Sequence, residues 1–115
     1  MKTLKLTIKK EWFDMILSGE KKEEYRTIKP YWDSRLYAIK RKNKMIISKE
    51  LKEFEAIEFK NGYGDKRPVA IFEYNGLEKG SPKPEWSGTE FSKHNSKNDM
   101  CYVIHIGNKL SSRNC

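Results

Sequence analysis

The chain has 115 residues, with 24 Lys and Arg against 16 Asp and Glu, a net charge of +8 with both histidines neutral. Hydrophobic residues make up 37% and charged residues 35%, yet 3 Trp, 6 Tyr and 5 Phe supply bulk that disordered chains lack. One domain with a single compact core is expected at this length, and no run approaches the roughly 18 apolar residues of a membrane span.

The opening MKTLKLTIKK is charged and alternating, without the apolar stretch of a secretory signal. Cys101 and Cys115 are too few for a disulfide framework, so a reduced, cytoplasmic protein is the expectation. Leu4, Leu6 and Ile8 alternate with Lys5, Thr7 and Lys9, the period of a half-buried strand. Trp12, Phe13, Ile16 and Leu17 then share a helical stripe, which assigns Trp12 to the core, and Ser18-Gly19 supplies the stop. Lys22 to Thr27 alternates again, with Glu23, Tyr25 and Thr27 on one face and Lys22, Glu24 and Arg26 on the other.

Pro30 suits the first residue of a second helix, continued at helical spacing by Tyr31, Trp32, Arg35, Leu36 and Ile39. From Arg35 to Lys49 every charged residue is basic: Arg35, Lys40, Arg41, Lys42, Lys44 and Lys49. Such a block attracts polyanions through counterion release, or is a solvated helix face or loop. Ser48 is placed to cap a short helix over Lys49–Phe54.

Ala56–Phe59 reads as a strand ending at the turn Asn61-Gly62-Tyr63-Gly64-Asp65, and Val69–Tyr74 as another ending at Asn75-Gly76. Gly80–Gly88, with Pro82 and Pro84, reads as an ordered loop, and Thr89–Asp99 as a polar one. Cys101–Ile106 is a closing apolar strand followed by polar residues. The domain is drawn over residues 1–110, with 111–115 as a short polar tail. Five strands and about three helices, with strands clustered late, give an α+β class and a small, partly open β-barrel carrying two or three helices.

The densest polar constellation is Gly19-Glu20-Lys21-Lys22-Glu23-Glu24-Tyr25-Arg26. Glu24 and Arg26 project from one strand face, and Lys21 stands at the turn before it. Together they suit recognition of a base edge and a phosphate, acid–base chemistry, or an ordinary run of surface charges. In Asn61-Gly62-Tyr63-Gly64 the glycines permit close backbone approach, Asn61 can read a base edge and Tyr63 can stack; a plain turn is the alternative. Tyr31 and Trp32 beside Lys29 and Arg35, together with Trp86, are the combination expected where bases stack and phosphates are neutralised. His94 and His105 have no Cys or His at metal-ligand spacing, and Cys101 and His105 lie about 13 Å apart along a strand, so no metal or cofactor is expected.

The segment Ile16–Arg26, preceded by its strand and helix, resembles the opening of an ASCH domain, a family in the PUA-like superfamily of small β-barrels. The family signature, Gly-x-Lys-x-x-x-x-Arg after a short helix, is met by Gly19, Lys21 and Arg26. Similar stretches are Ile28–Trp32, Phe59–Gly64, Pro84-Glu85-Trp86 and Tyr102-Val103-Ile104. The resemblance implies a PUA-like barrel with an RNA- or nucleotide-related role and a cleft beside residues 21–26. Some members are amidohydrolases that remove an acyl group from modified cytidine, pairing the signature lysine with a threonine two residues before the arginine; Glu24 stands there in this chain.

The leading expectation is therefore binding of RNA or a modified nucleotide. Lys21, Glu24 and Arg26 line the cleft, Asn61 and Tyr63 form its rim, and Tyr31, Trp32 and Trp86 stack. Lys29 and Arg35 meet phosphate, with Lys40, Arg41, Lys42, Lys44 and Lys49 as a basic patch. A hydrolase using Lys21 and Glu24 on nucleosides or RNA is the second reading. A protein-interaction module with a basic surface is the third.

Overall fold

The computed structural model describes residues 2–87 and 100–115; the expected polar loop Thr89–Asp99, with His94, lies outside the described residues. The chain runs β1 (Thr3–Ile8), α1 (Lys10–Leu17), β2 (Glu23–Arg26), α2 (Pro30–Leu36), β3 (Tyr37–Lys42), β4 (Met45–Leu51), β5 (Ala56–Asn61), β6 (Val69–Gly80) and β7 (Cys101–Arg113). A further helical segment occupies residues 84–87. The class is α+β: a five-stranded sheet, order β1-β5-β6-β7-β2, curled into a half-barrel, with a separate β3–β4 ribbon. β1 is parallel to β5 and every other pairing is antiparallel. No helix among the described residues is long and apolar enough to cross a membrane.

Alternation decides which faces are buried. Leu4, Leu6 and Ile8 of β1 join Ile57 and Phe59 of β5, Phe72 of β6 and Tyr102, Ile104 and Ile106 of β7 in one core. Phe13 and Ile16 of α1 and Leu36 of α2 close it from the helical side. Side chains two apart on a strand reach the same core, so the polar alternates face outward.

All five strands anticipated from alternation lie in the main sheet; the ribbon was not anticipated. The second helix ends at Leu36, and Ile39 belongs to β3. The short helix expected over Lys49–Phe54 is absent: Met45–Leu51 is β4, paired with β3 from Tyr37↔Leu51 to Lys42↔Met45. Two causes are local. Asn43 and Lys44 both have positive φ (52° and 67°), as a two-residue hairpin turn of the primed type requires, and β-branched Ile46 and Ile47 favour extended backbone.

Asn75-Gly76 does not end its strand either. β6 continues to Gly80, and Gly76 (φ 110°) absorbs an irregularity in the β6–β7 register. The polar residues after Ile106 are strand rather than tail, because β7 runs antiparallel to all of β6 and pairs Arg113 with Val69. Part of the loop expected over Gly80–Gly88 is the helical segment at 84–87.

Candidate functional site

Among the described residues, β1 and β2 are the two edges of the sheet, each paired on one side only. Curling brings these edges toward one another without joining them, and the seam between them is a cleft of about 490 Å³. Lys5, Leu6, Thr7, Ile8 and Lys9 line it from β1 and its end, and Glu24, Tyr25 and Arg26 from β2. Trp12 of α1, Tyr31, Trp32 and Arg35 of α2, Tyr63, Trp86 and Ser87 complete the lining. The opening of a curled sheet is thus where the chemistry-bearing residues collect.

Lys21 reaches the cleft because α1 stops sharply. Gly19 takes the left-handed conformation (φ 88°), and the Lys21 amide then donates to the Met15 carbonyl at 2.9 Å, folding the chain back. The Lys21 side chain is 2% exposed and Glu24 4%. Lys21 Nζ donates to Glu24 Oε1 at 2.9 Å and to the Trp86 carbonyl at 2.8 Å, and lies 4.7 Å from the centre of the Trp12 ring. Arg26 Nη1 stands 3.1 Å from Glu24 Oε2, and the Tyr25 amide donates to Glu24 Oε1 at 3.1 Å. Lys21, Glu24 and Arg26 therefore form one buried ion triad with a surplus positive charge.

Burial pushes the Glu24 carboxyl up, but Arg26, Lys21 and the hydrogen bonds outweigh it and hold Glu24 below its ordinary value of 4.5. A carboxylate whose folded value is depressed stabilises the fold above its unfolded value, and that contribution fades as pH falls through the folded value. The wild type is expected to lose stability as pH drops below 4.5, and Glu24→Gln to show a shallower loss. Urea midpoints at descending pH check this; parallel curves for the two proteins would refute it.

The aromatic residues differ in availability. Trp32 carries the Arg26 guanidinium 5.0 Å and that of Arg35 5.5 Å from its ring centre, with the Tyr31 ring edge-on at 4.9 Å. Arg35 is itself held by the Tyr31 hydroxyl at 3.0 Å and by the Lys5 carbonyl of the β1 edge at 2.8 Å. Trp86 lies beneath Lys83 Nζ at 4.5 Å. Tyr63, 89% exposed, stands on a turn whose Gly62 and Gly64 both have positive φ.

The cleft brings together Lys21, Glu24, Arg26, Tyr31, Trp32, Arg35, Tyr63 and Trp86 from the sequence expectation. Two others fall outside its lining. Asn61 Nδ2 donates to the Ile8 carbonyl at 3.1 Å, tying the ends of β5 and β1 instead of forming a rim. Lys29 occupies the N-cap position of α2 and is exposed. Lys40, Arg41, Lys42, Lys44 and Lys49 lie on the ribbon, where Lys49 Nζ is 4.0 Å from Asp33 Oδ2 and 4.4 Å from the centre of the Tyr37 ring.

Lys5, Thr7, Lys9 and Ser87 were not anticipated, and Trp12 serves both core and cleft. The outward alternates of the first strand, Lys5 and Thr7, were the available signal; nothing local says that this strand is an edge. Among the described residues no three His, Cys, Asp or Glu gather as a metal site. Burial raises the Cys101 thiol to about 11, with Glu23 adding to it, which leaves the thiol protonated and unreactive near neutrality. The chain matches no protein-family model, no curated protein and no solved structure.

Proposed function

We propose that the seam cleft binds a nucleotide, either as part of RNA or as a modified nucleotide. The observation that carries this reading is the lining itself: among the described residues, Lys5, Lys9, Lys21, Arg26 and Arg35 stand against the lone carboxylate of Glu24, interleaved with indole and phenol rings. Cations meet the phosphate, and rings meet the base. A volume of about 490 Å³ also falls within the usual range for small-molecule sites. The resemblance of Gly19, Lys21 and Arg26 to the ASCH signature supports the same class of ligand.

Binding is favoured over a hydrolase that uses Lys21 and Glu24 as an acid–base pair. Both Glu24 oxygens are engaged by cations, and the carboxyl is held below its ordinary value, so it is a weak proton acceptor near neutral pH. In this reading the triad fixes the floor of the cleft and offers its surplus positive charge to the ligand.

Titration with ribonucleoside monophosphates, read by tryptophan fluorescence, tests the proposal. Tyr63→Ala is expected to weaken binding roughly 5- to 150-fold, the loss of about 1–3 kcal/mol of base stacking, without changing the melting temperature. Arg26→Ala is expected to weaken it and to reduce its salt dependence. No binding at low salt, or affinity indifferent to both substitutions, would overturn the nucleotide reading.

A further inference from the structure

We infer that the β3–β4 ribbon is a second docking element for a polynucleotide whose one nucleotide occupies the cleft, so the ligand is a polymer rather than a free nucleotide. This inference rests on the nucleotide reading of the cleft.

Charge is the first observation. Over residues 37–51 the ribbon carries Lys40, Arg41, Lys42, Lys44 and Lys49 against Glu50 alone. Lys49 is engaged at the root by Asp33 and Tyr37. Among the described residues, the other four cations make no ion pair. Lys40, Arg41, Lys42 and Lys44 are all exposed, and the β3–β4 register shifts between Lys40 and Arg41, so the cations are open to a phosphate backbone along the strand and its turn.

The tip is the second observation. Met45, Ile46 and Ile47 follow the Asn43-Lys44 turn and are 71%, 52% and 62% exposed. Three large apolar side chains held in solvent beside unpaired cations match what nucleic-acid-binding arms use: cations for the backbone and apolar atoms against the bases.

Continuity with the cleft selects a polynucleotide over an anionic membrane, which the same tip chemistry could also meet. β3 begins directly after α2, the helix that presents Tyr31, Trp32 and Arg35 to the cleft. The return strand is clamped to the same root: the Lys52 amide donates to the Leu36 carbonyl at 3.0 Å, and Lys52 Nζ to the Ser34 carbonyl at 3.1 Å. A six-residue strand spans about 20 Å, long enough to follow several phosphates of an extended single strand. A strand leaving the cleft past Arg35 therefore meets a cationic track directly beyond it.

The test compares the wild type with a ribbon variant, K40S/R41S/K42S/K44S, in fluorescence anisotropy. The probes are a nucleoside monophosphate, a single-stranded RNA of about 12 nucleotides, chosen to exceed the span of the ribbon, and its DNA counterpart. Vesicles of phosphatidylserine and phosphatidylcholine are assayed by co-sedimentation.

The wild type is expected to bind the oligonucleotide at least about tenfold tighter than the monophosphate. The variant should lose that gain while keeping its monophosphate affinity. Its slope of log K against log salt should fall by about 3, since each single-strand phosphate contact contributes about 0.7. M45S/I46S, at exposed positions, should lower oligonucleotide affinity with the salt slope unchanged. Oligonucleotide gain retained by the ribbon variant overturns the inference, as does ribbon-dependent binding to vesicles in preference to RNA or DNA. Monophosphate binding without ribbon dependence rejects the ribbon alone. Ribbon-dependent oligonucleotide binding without monophosphate binding rejects the cleft reading, and with it the bridging arrangement.

Discussion

Replacing Lys21 by alanine is expected to destabilise the protein by about 3–5 kcal/mol, the range for removing one partner of a buried ion pair. Lys21 is 2% exposed, and its ammonium serves Glu24, the Trp86 carbonyl and the face of Trp12 at once. Without it, Glu24 keeps Arg26 at 3.1 Å and the Tyr25 amide, but Oε1 loses its cation at a residue only 4% exposed. The Trp86 carbonyl also loses its donor, which loosens the segment that walls the cleft. At about 4 °C per kcal/mol for a chain of this size, the melting temperature should fall by about 12–20 °C. Lys21→Met with Glu24→Leu, which removes the two most buried charges, retains apolar bulk and leaves the partly exposed Arg26 its bond to the Tyr25 carbonyl and the face of Trp32, should lose less than Lys21→Ala. A loss below about 1 kcal/mol for Lys21→Ala would mean that the triad is hydrated rather than buried.

That triad shows how far a linear reading reaches. The two-residue spacing of Glu24 and Arg26 and the turn position of Lys21 were legible, because strand period alone puts such side chains on one face. Their burial was not. It depends on pairing of β2 with β7, on the segment at residues 84–87 and on Trp12, none of which is local to residues 21–26.

The ribbon was illegible for a different reason. Both of its faces are largely exposed, so Tyr37–Lys42 and Met45–Leu51 lack the alternation that betrays a half-buried strand. Its turn uses Asn43-Lys44 in place of the Asn-Gly that signals a hairpin. Conversely, a genuine Asn75-Gly76 pair suggested a chain reversal where the long β6–β7 pairing carries the strand straight through. Local turn chemistry yields there to a partner strand far away in sequence.

Leu36 joins the two proposed ligand-binding elements, and Leu36→Ala is the second substitution with a large expected effect. Leu36 is the last residue of α2, 0% exposed and packed in the main core, while Tyr31, Trp32 and Arg35 of the same helix face the cleft. Its carbonyl accepts from the Lys52 amide at the root of the ribbon. A further tie comes from the Tyr102 hydroxyl, which donates to Asp33. Truncation removes buried apolar atoms and leaves a cavity, a loss of about 2–5 kcal/mol, or about 8–20 °C in melting temperature. α2 has only seven residues, too few to hold a helix without its packing, so the loss should also be felt by the ligand. Monophosphate affinity measured well below the lowered melting temperature is expected to drop several-fold, although Leu36 itself is absent from the cleft lining. Leu36→Met, which keeps the volume, should restore both stability and affinity to near wild type. Lowered stability with unchanged affinity would show that Tyr31, Trp32 and Arg35 hold their places through Lys5 and Arg26 alone, and that α2 does not couple the core to the cleft.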